Sequence, residues 1–105
     1  MVSHPSARYV IREFPEGVRL RLGKALFRLQ LGERLHLPHA RPMPLVAPGV
    51  SEVRVRGEDE IYRTFYYTGS EQGILVLHAF AKKTQRTPSG EIETARKHLR
   101  ELLDA

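Results

Sequence analysis

The sequence predicts an α+β domain: a central antiparallel sheet with an N-terminal helical segment and a C-terminal helix. Three observations predict it. Residues 14–35 carry helical periodicity, three strand-like runs follow one another across short turns between residues 49 and 81, and a second helical pattern starts at Pro88. The 105 residues suit a single domain spanning 1–105, long enough to bury a core without disulfides or metals.

Each element has a local reason. "ARYVIRE", Ala7 to Glu13, alternates Tyr9 and Ile11 against Arg8, Val10 and Arg12, which predicts a short first strand. In "FPEGVRLRLGKALFRLQLGERL", Pro15 suits the first helical position and Glu16 suits the positive end of the helix dipole. Val18, Leu22, Ala25, Leu26 and Leu29 form one apolar stripe, with Arg21, Lys24 and Arg28 off it. Gly32 stops the helix, while Gly23 inside it weakens it unless close packing needs a glycine.

"HLPHARPMPLVAPG", residues 36–49, holds four prolines and reads as an extended connection, excluded from a helix or a central strand. "GVSEVRVRG" then sets Val50, Glu52, Arg54 and Arg56 on one face and Ser51, Val53 and Val55 on the other. "IYRTFYYTG" is aromatic and β-branched. "ILVLHAFA" is apolar on both sides, as in a strand buried on both faces. The turns "GEDE" and "SEQG" make these three an antiparallel meander, with the helices expected on one face and the Arg54 and Arg56 face open. At the end, Thr87 can cap and Pro88 can begin a helix whose stripe is Ile92, Ala95, Leu99, Leu102 and Leu103.

Composition narrows the function classes. There is no cysteine, which excludes disulfides, thiolate nucleophiles and cysteine-ligated metal clusters. "MVSHPSARYV" has no long apolar run, so neither a signal peptide nor a membrane span is expected, and the cytoplasm is the default. Seventeen Lys and Arg against twelve acids leave a net charge of +5, which favours polyanionic partners such as nucleic acid, or an acidic protein.

Within that balance, particular cations stand out. Arg54 and Arg56 leave one strand face together: either a solvated face or a phosphate-binding strip, for which the guanidinium fork is suited. Arg63 lies among aromatics in "YRTFYY". There it either serves phosphate or pairs with Glu52 or another acid of the neighbouring strand. Lys82 and Lys83 end the last strand, with Arg86 beyond them. They are either snorkelling lysines or the rim of one basic patch with the arginines. His78, on a strand face with Ile74, Val76 and Phe80, is either a satisfied core histidine or a general acid or base. Tyr62, Tyr66 and Tyr67 are core or edge residues unless one is exposed enough to stack on an RNA base. His36 and His39 flank a proline and lack an evident third ligand, so no metal site and no cofactor are expected.

"RLQLGERL", "RPMPLVAPGVSEVRVRGEDEIYRTFYYT", "ILVLHAFAKKTQRTP" and "EIETARKHLREL" together resemble the phage-derived, HigB-like branch of the RelE/ParE toxin superfamily, over about Phe14 to Leu103. The resemblance implies a RelE/ParE-like fold and the toxin of a type II toxin–antitoxin pair. It implies a metal-independent mRNA endonuclease (an mRNA interferase) that works on the ribosome and inhibits translation. The implied partner is a helix-turn-helix, HigA-like antitoxin, through which the complex reaches operator DNA. By resemblance, Arg54 and Arg56 bind RNA, and Arg63, Lys82 and Lys83 stabilise the reacting phosphate; Arg86, just beyond them, is a further candidate for binding RNA. RelE-like enzymes carry a tyrosine near the C-terminus that "SGEIETARKHLRELLDA" lacks, so either a different base acts, with His78, Lys82 and Tyr66 as the candidates, or the cutting mechanism is not that of RelE. ParE relatives share the fold but inhibit DNA gyrase without cutting RNA. An inactive homologue that only binds its antitoxin is the remaining alternative.

Overall fold

The computed structural model describes residues 1–35, 39–83 and 86–104. Eight elements follow in order: β1 (Val2–Ser3), α1 (Pro5–Arg12), α2 (Glu16–Gln30), β2 (Ala40–Pro42), β3 (Val50–Arg56), β4 (Ile61–Ser70), β5 (Gly73–Lys82) and α3 (Ser89–Leu103). The α+β expectation holds. The sheet runs β1-β5-β4-β3-β2, antiparallel throughout except that β1 lies parallel to β5, which makes it mixed.

The segment from Ala7 to Arg12 is helical, with Glu13 as its C-cap, and is not the expected strand. Pro5 occupies the first turn, and the His4 side chain caps it by accepting from the Ser6 amide. Ala7, Val10 and Ile11 are spaced i, i+3, i+4 and turn to the core, leaving Tyr9 exposed. The β-prone residues yielded to tertiary packing of that stripe. Pro15 disfavours helical geometry at Phe14 and separates α1 from α2.

Helix α2 buries Val18, Leu22, Leu26 and Leu29 as its pattern predicts, and Gly32 follows it with φ 89°. A Cβ added at Gly23 would meet nothing within 4 Å, so no close contact demands this glycine. The proline-rich connection contributes the short edge strand β2, which ends at Pro42, where a missing N–H is tolerated.

The helices do not share one face of the sheet. Helices α1 and α2 pack with Val53, Val55, Tyr66, Val76 and Ala79. Helix α3 packs with Val50, Phe65, Leu75, Leu77 and Phe80 on the opposite face, joined there by Met43 and Val46. The Arg54 and Arg56 face is therefore largely covered, not open. The physical cause is β5: a strand apolar on both sides needs cover on both.

A bulge in β5 also moves His78. The register passes from Phe65↔His78 to Tyr66↔Val76, which leaves Leu77 as the extra residue. Leu77 and His78 then both face α3, and the His78 ring meets Phe65, Phe80 and His98. Ile74 and Val76 lie on the other side, so the shared face read from simple alternation is corrected. Thr87 does not cap α3, whose N-cap is Pro88 without a side-chain bond; its hydroxyl instead accepts from Arg63.

Gly23→Ala is expected to raise the unfolding free energy by about 0.5–1 kcal/mol, because the site is helical and open. Urea denaturation of the two proteins measures it.

Candidate functional site

Strand register lines up the cations read from the sequence. Arg54 pairs with Arg63, which pairs with Phe80; Arg56 pairs with Ile61, which pairs with Lys82. Partners across neighbouring strands point to the same side, so Arg54, Arg56, Arg63 and Lys82 share the α3 face at one end of the sheet. Two strand spacings separate the Arg56 and Lys82 backbones by roughly 10 Å.

These cations differ sharply in surroundings. Glu52, fully buried, faces three guanidiniums: Arg41 Nε at 3.2 Å, Arg63 Nη1 at 3.7 Å and Arg54 Nε at 3.9 Å. Of the two readings left open for Arg63, the ion pair with Glu52 is the one the structure contains. Arg63 has no solvent exposure, and its Nη1 also donates to Thr87 Oγ1 at 3.1 Å. Burial pulls the Arg63 guanidinium below its ordinary range, Glu52 opposes this, and Arg41 and Arg54 add to the fall. In this conformation Arg63 acts on its neighbours and not on anything outside.

Arg54 and Arg56 reach solvent where β2 ends and β3 becomes the edge. A cleft of about 680 Å³ lies there against α2. Its lining includes Arg21, Lys24 and Arg28 of α2 together with Arg34, Arg54, Arg56 and His39; no acid is among the described lining residues, while Glu33 beside it bonds Arg28 Nε at 3.2 Å. Arg21, Lys24 and Arg28 are spaced i, i+3, i+7 and so share one helix face. Sequence reasoning noted them as off the apolar stripe and assigned them no role. Their spacing was the available signal, but the opposing strand edge was not legible. Arg41 was missed as well. A cleft with one sign of charge and partly apolar walls concentrates the field on an entering anion.

The remaining candidates separate. His78 Nε2 lies 2.8 Å from Glu91 Oε1, and Lys82 Nζ lies 3.7 Å from Glu91 Oε2, so one carboxylate joins both. Lys83 and Arg86 are exposed. Tyr66 is buried on the α2 side, the face opposite Arg54 and Lys82, and burial pushes its phenol above the ordinary value against a hydrogen bond with Ser51. The structure does not bring Tyr66 to the other candidates. His39 stands in the cleft, while His36 lies outside the described residues.

A five-stranded mixed sheet with N-terminal helices on one face and a C-terminal helix on the other is compatible with a RelE-like fold. The family model described as Phage derived protein Gp49-like (DUF891) matches residues 10–100, and the chain belongs to this family. It is a family of RelE/HigB-type toxins, associated with toxin–antitoxin systems, and so implies an antitoxin partner. No curated protein matches the chain significantly. Among the described residues no helix is long and apolar enough to cross a membrane.

Removing Arg63 leaves Glu52 with Arg41 and Arg54 but empties a fully buried site and takes the donor from Thr87. Arg63→Ala is therefore expected to destabilise the fold by about 2–3 kcal/mol, whereas Arg56→Ala, at an exposed position, should stay within about 0.5 kcal/mol of the parent. Denaturant midpoints of the two variants test the contrast.

Proposed function

We propose that this protein is the HigB-like toxin of a type II pair and that it arrests translation by cutting messenger RNA on the ribosome, in the cytoplasm. The observation that carries the reading is the cation-lined cleft, where Arg21, Lys24 and Arg28 of α2 face Arg54 and Arg56 across the exposed edge of β3. Its chemistry fits a single RNA strand, whose phosphates are spaced along a groove and held by guanidinium forks. The partner that restrains it is a helix-turn-helix antitoxin, through which the pair meets its operator DNA.

The cut needs three things: removal of the ribose 2′-OH proton, stabilisation of charge on the phosphate, and a proton for the departing 5′ oxygen. The 2′ oxygen bonds to phosphorus as the 5′ oxygen leaves, which gives a cyclic phosphate and a free 5′-hydroxyl. Arg54 and Arg56 supply fixed positive charge for the phosphate, with Lys82, Lys83 and Arg86 at the same end of the sheet, and such stabilisation can dominate catalysis. His78, oriented by Glu91, is the candidate acid or base. Arg63 is a positioning residue, holding Glu52 and Thr87 in place.

Expression without an antitoxin, followed by mapping of transcript ends, tests the reading. New 5′ ends in translated messages are expected, and the double variant Arg54→Ala, Arg56→Ala should abolish them while remaining folded. RNA binding by that variant should show a log–log salt slope shallower by about 1.4, the value for two lost contacts to a single strand. Intact messages with gyrase-dependent DNA breaks would move the protein to the gyrase-inhibitor class. No growth effect at all would mark an inactive homologue.

A further inference from the structure

We propose that His4, His98 and Glu101 form a binding site for a divalent transition-metal ion of the zinc class, which staples the start of α1 to the C-terminal half of α3. One ligand-type atom from each residue lies within 4.8 Å of the other two. None of the three lines the basic cleft, although the His98 ring lies 5.7 Å from that of His78. Two imidazoles and a carboxylate are a donor set that zinc accepts, with water completing the shell.

Two features favour the ion. His98 Nδ1 donates to the Leu77 carbonyl at 2.7 Å, which holds the ring and leaves the Nε2 lone pair for a ligand. Glu101 follows His98 by three residues and shares its side of α3.

His4 is the part that must move. Its Nε2 sits 2.7 Å from Glu101 Oε1, and its ring is stacked on His98 with centroids 3.6 Å apart and planes 11° from parallel. Lone pairs in parallel planes do not converge on one ion, so binding requires the His4 ring to turn out of the stack. Coordination through Nε2 also leaves the ring proton on Nδ1 and gives up the bond from the Ser6 amide. His4 is largely buried at the start of α1, but only contacts of its own side chain hold its ring, whereas His98 is packed in the core and tied to β5 through Leu77, so the turn falls to His4. Tetrahedral zinc needs donor atoms about 3.3 Å apart, so the cluster closes by an ångström or so as the ring turns.

Calorimetric titration of zinc chloride into tag-free protein tests the site, together with thermal unfolding in zinc and in EDTA. The parent should bind one ion and gain Tm with rising zinc, and EDTA should reverse the gain. Glu101→Gln, at an exposed position, and His4→Asn, which retains a good helix cap, should each weaken binding at least about tenfold. Circular dichroism checks that both variants fold. Absence of heat and of any Tm change in the parent would overturn the site, as would unchanged affinity in both variants. RNA cutting is read separately, by the transcript-end mapping, and neither variant changes His78, its Glu91 partner or a cation of the cleft.

Discussion

The buried carboxylate of Glu52 is the contact on which the arrangement of cations depends. An acid out of reach of water is tolerated only with charged partners and hydrogen bonds around it. Its three arginine partners come from β2, β3 and β4. The pairing therefore ties an edge strand of three residues to the body of the sheet. It also specifies register, since a slip of one residue would turn Glu52 toward the apolar face that Val53 and Val55 occupy. Through Arg63 the same network reaches Thr87, just before α3, and so links the β5–α3 connection to the sheet.

This division of labour separates cations that hold the fold from cations that face a partner. Arg63 is internal, and Arg41 is drawn toward Glu52. Arg54 is shared, with its Nε near Glu52 and the residue lining the cleft. Arg56 is exposed, and α2 adds its own row opposite. With three guanidiniums around one carboxylate, the region stays positive even where it is paired, which adds to the field at the cleft. At the far side of the same sheet end, Glu91 plays the smaller part of joining His78 and Lys82.

Much of this is legible in the sequence. The apolar stripes of α2 and α3, the meander of β3, β4 and β5, and the pairing of Arg63 with Glu52 as one of two readings all follow from spacing. The Ala7 to Glu13 stretch was misread because seven residues of β-prone composition satisfy both a period of two and a short helical stripe. The face of His78 was misread because one extra residue at a bulge inverts an alternation that is otherwise sound. The continuous apolar run of β5 already implied cover on both faces, and an open arginine face did not agree with it.

The sequence by itself determined the class of fold, the positive balance and the strand positions of Arg54, Arg56, Arg63 and Lys82. Periodicity and charge are local properties, readable one segment at a time. Only the tertiary structure decided which of these cations meet solvent and which meet Glu52, and only it set α2 against the edge of β3 to make a cleft. Those outcomes depend on contacts between residues far apart in the chain, and a carboxylate's burial is a property of everything packed around it.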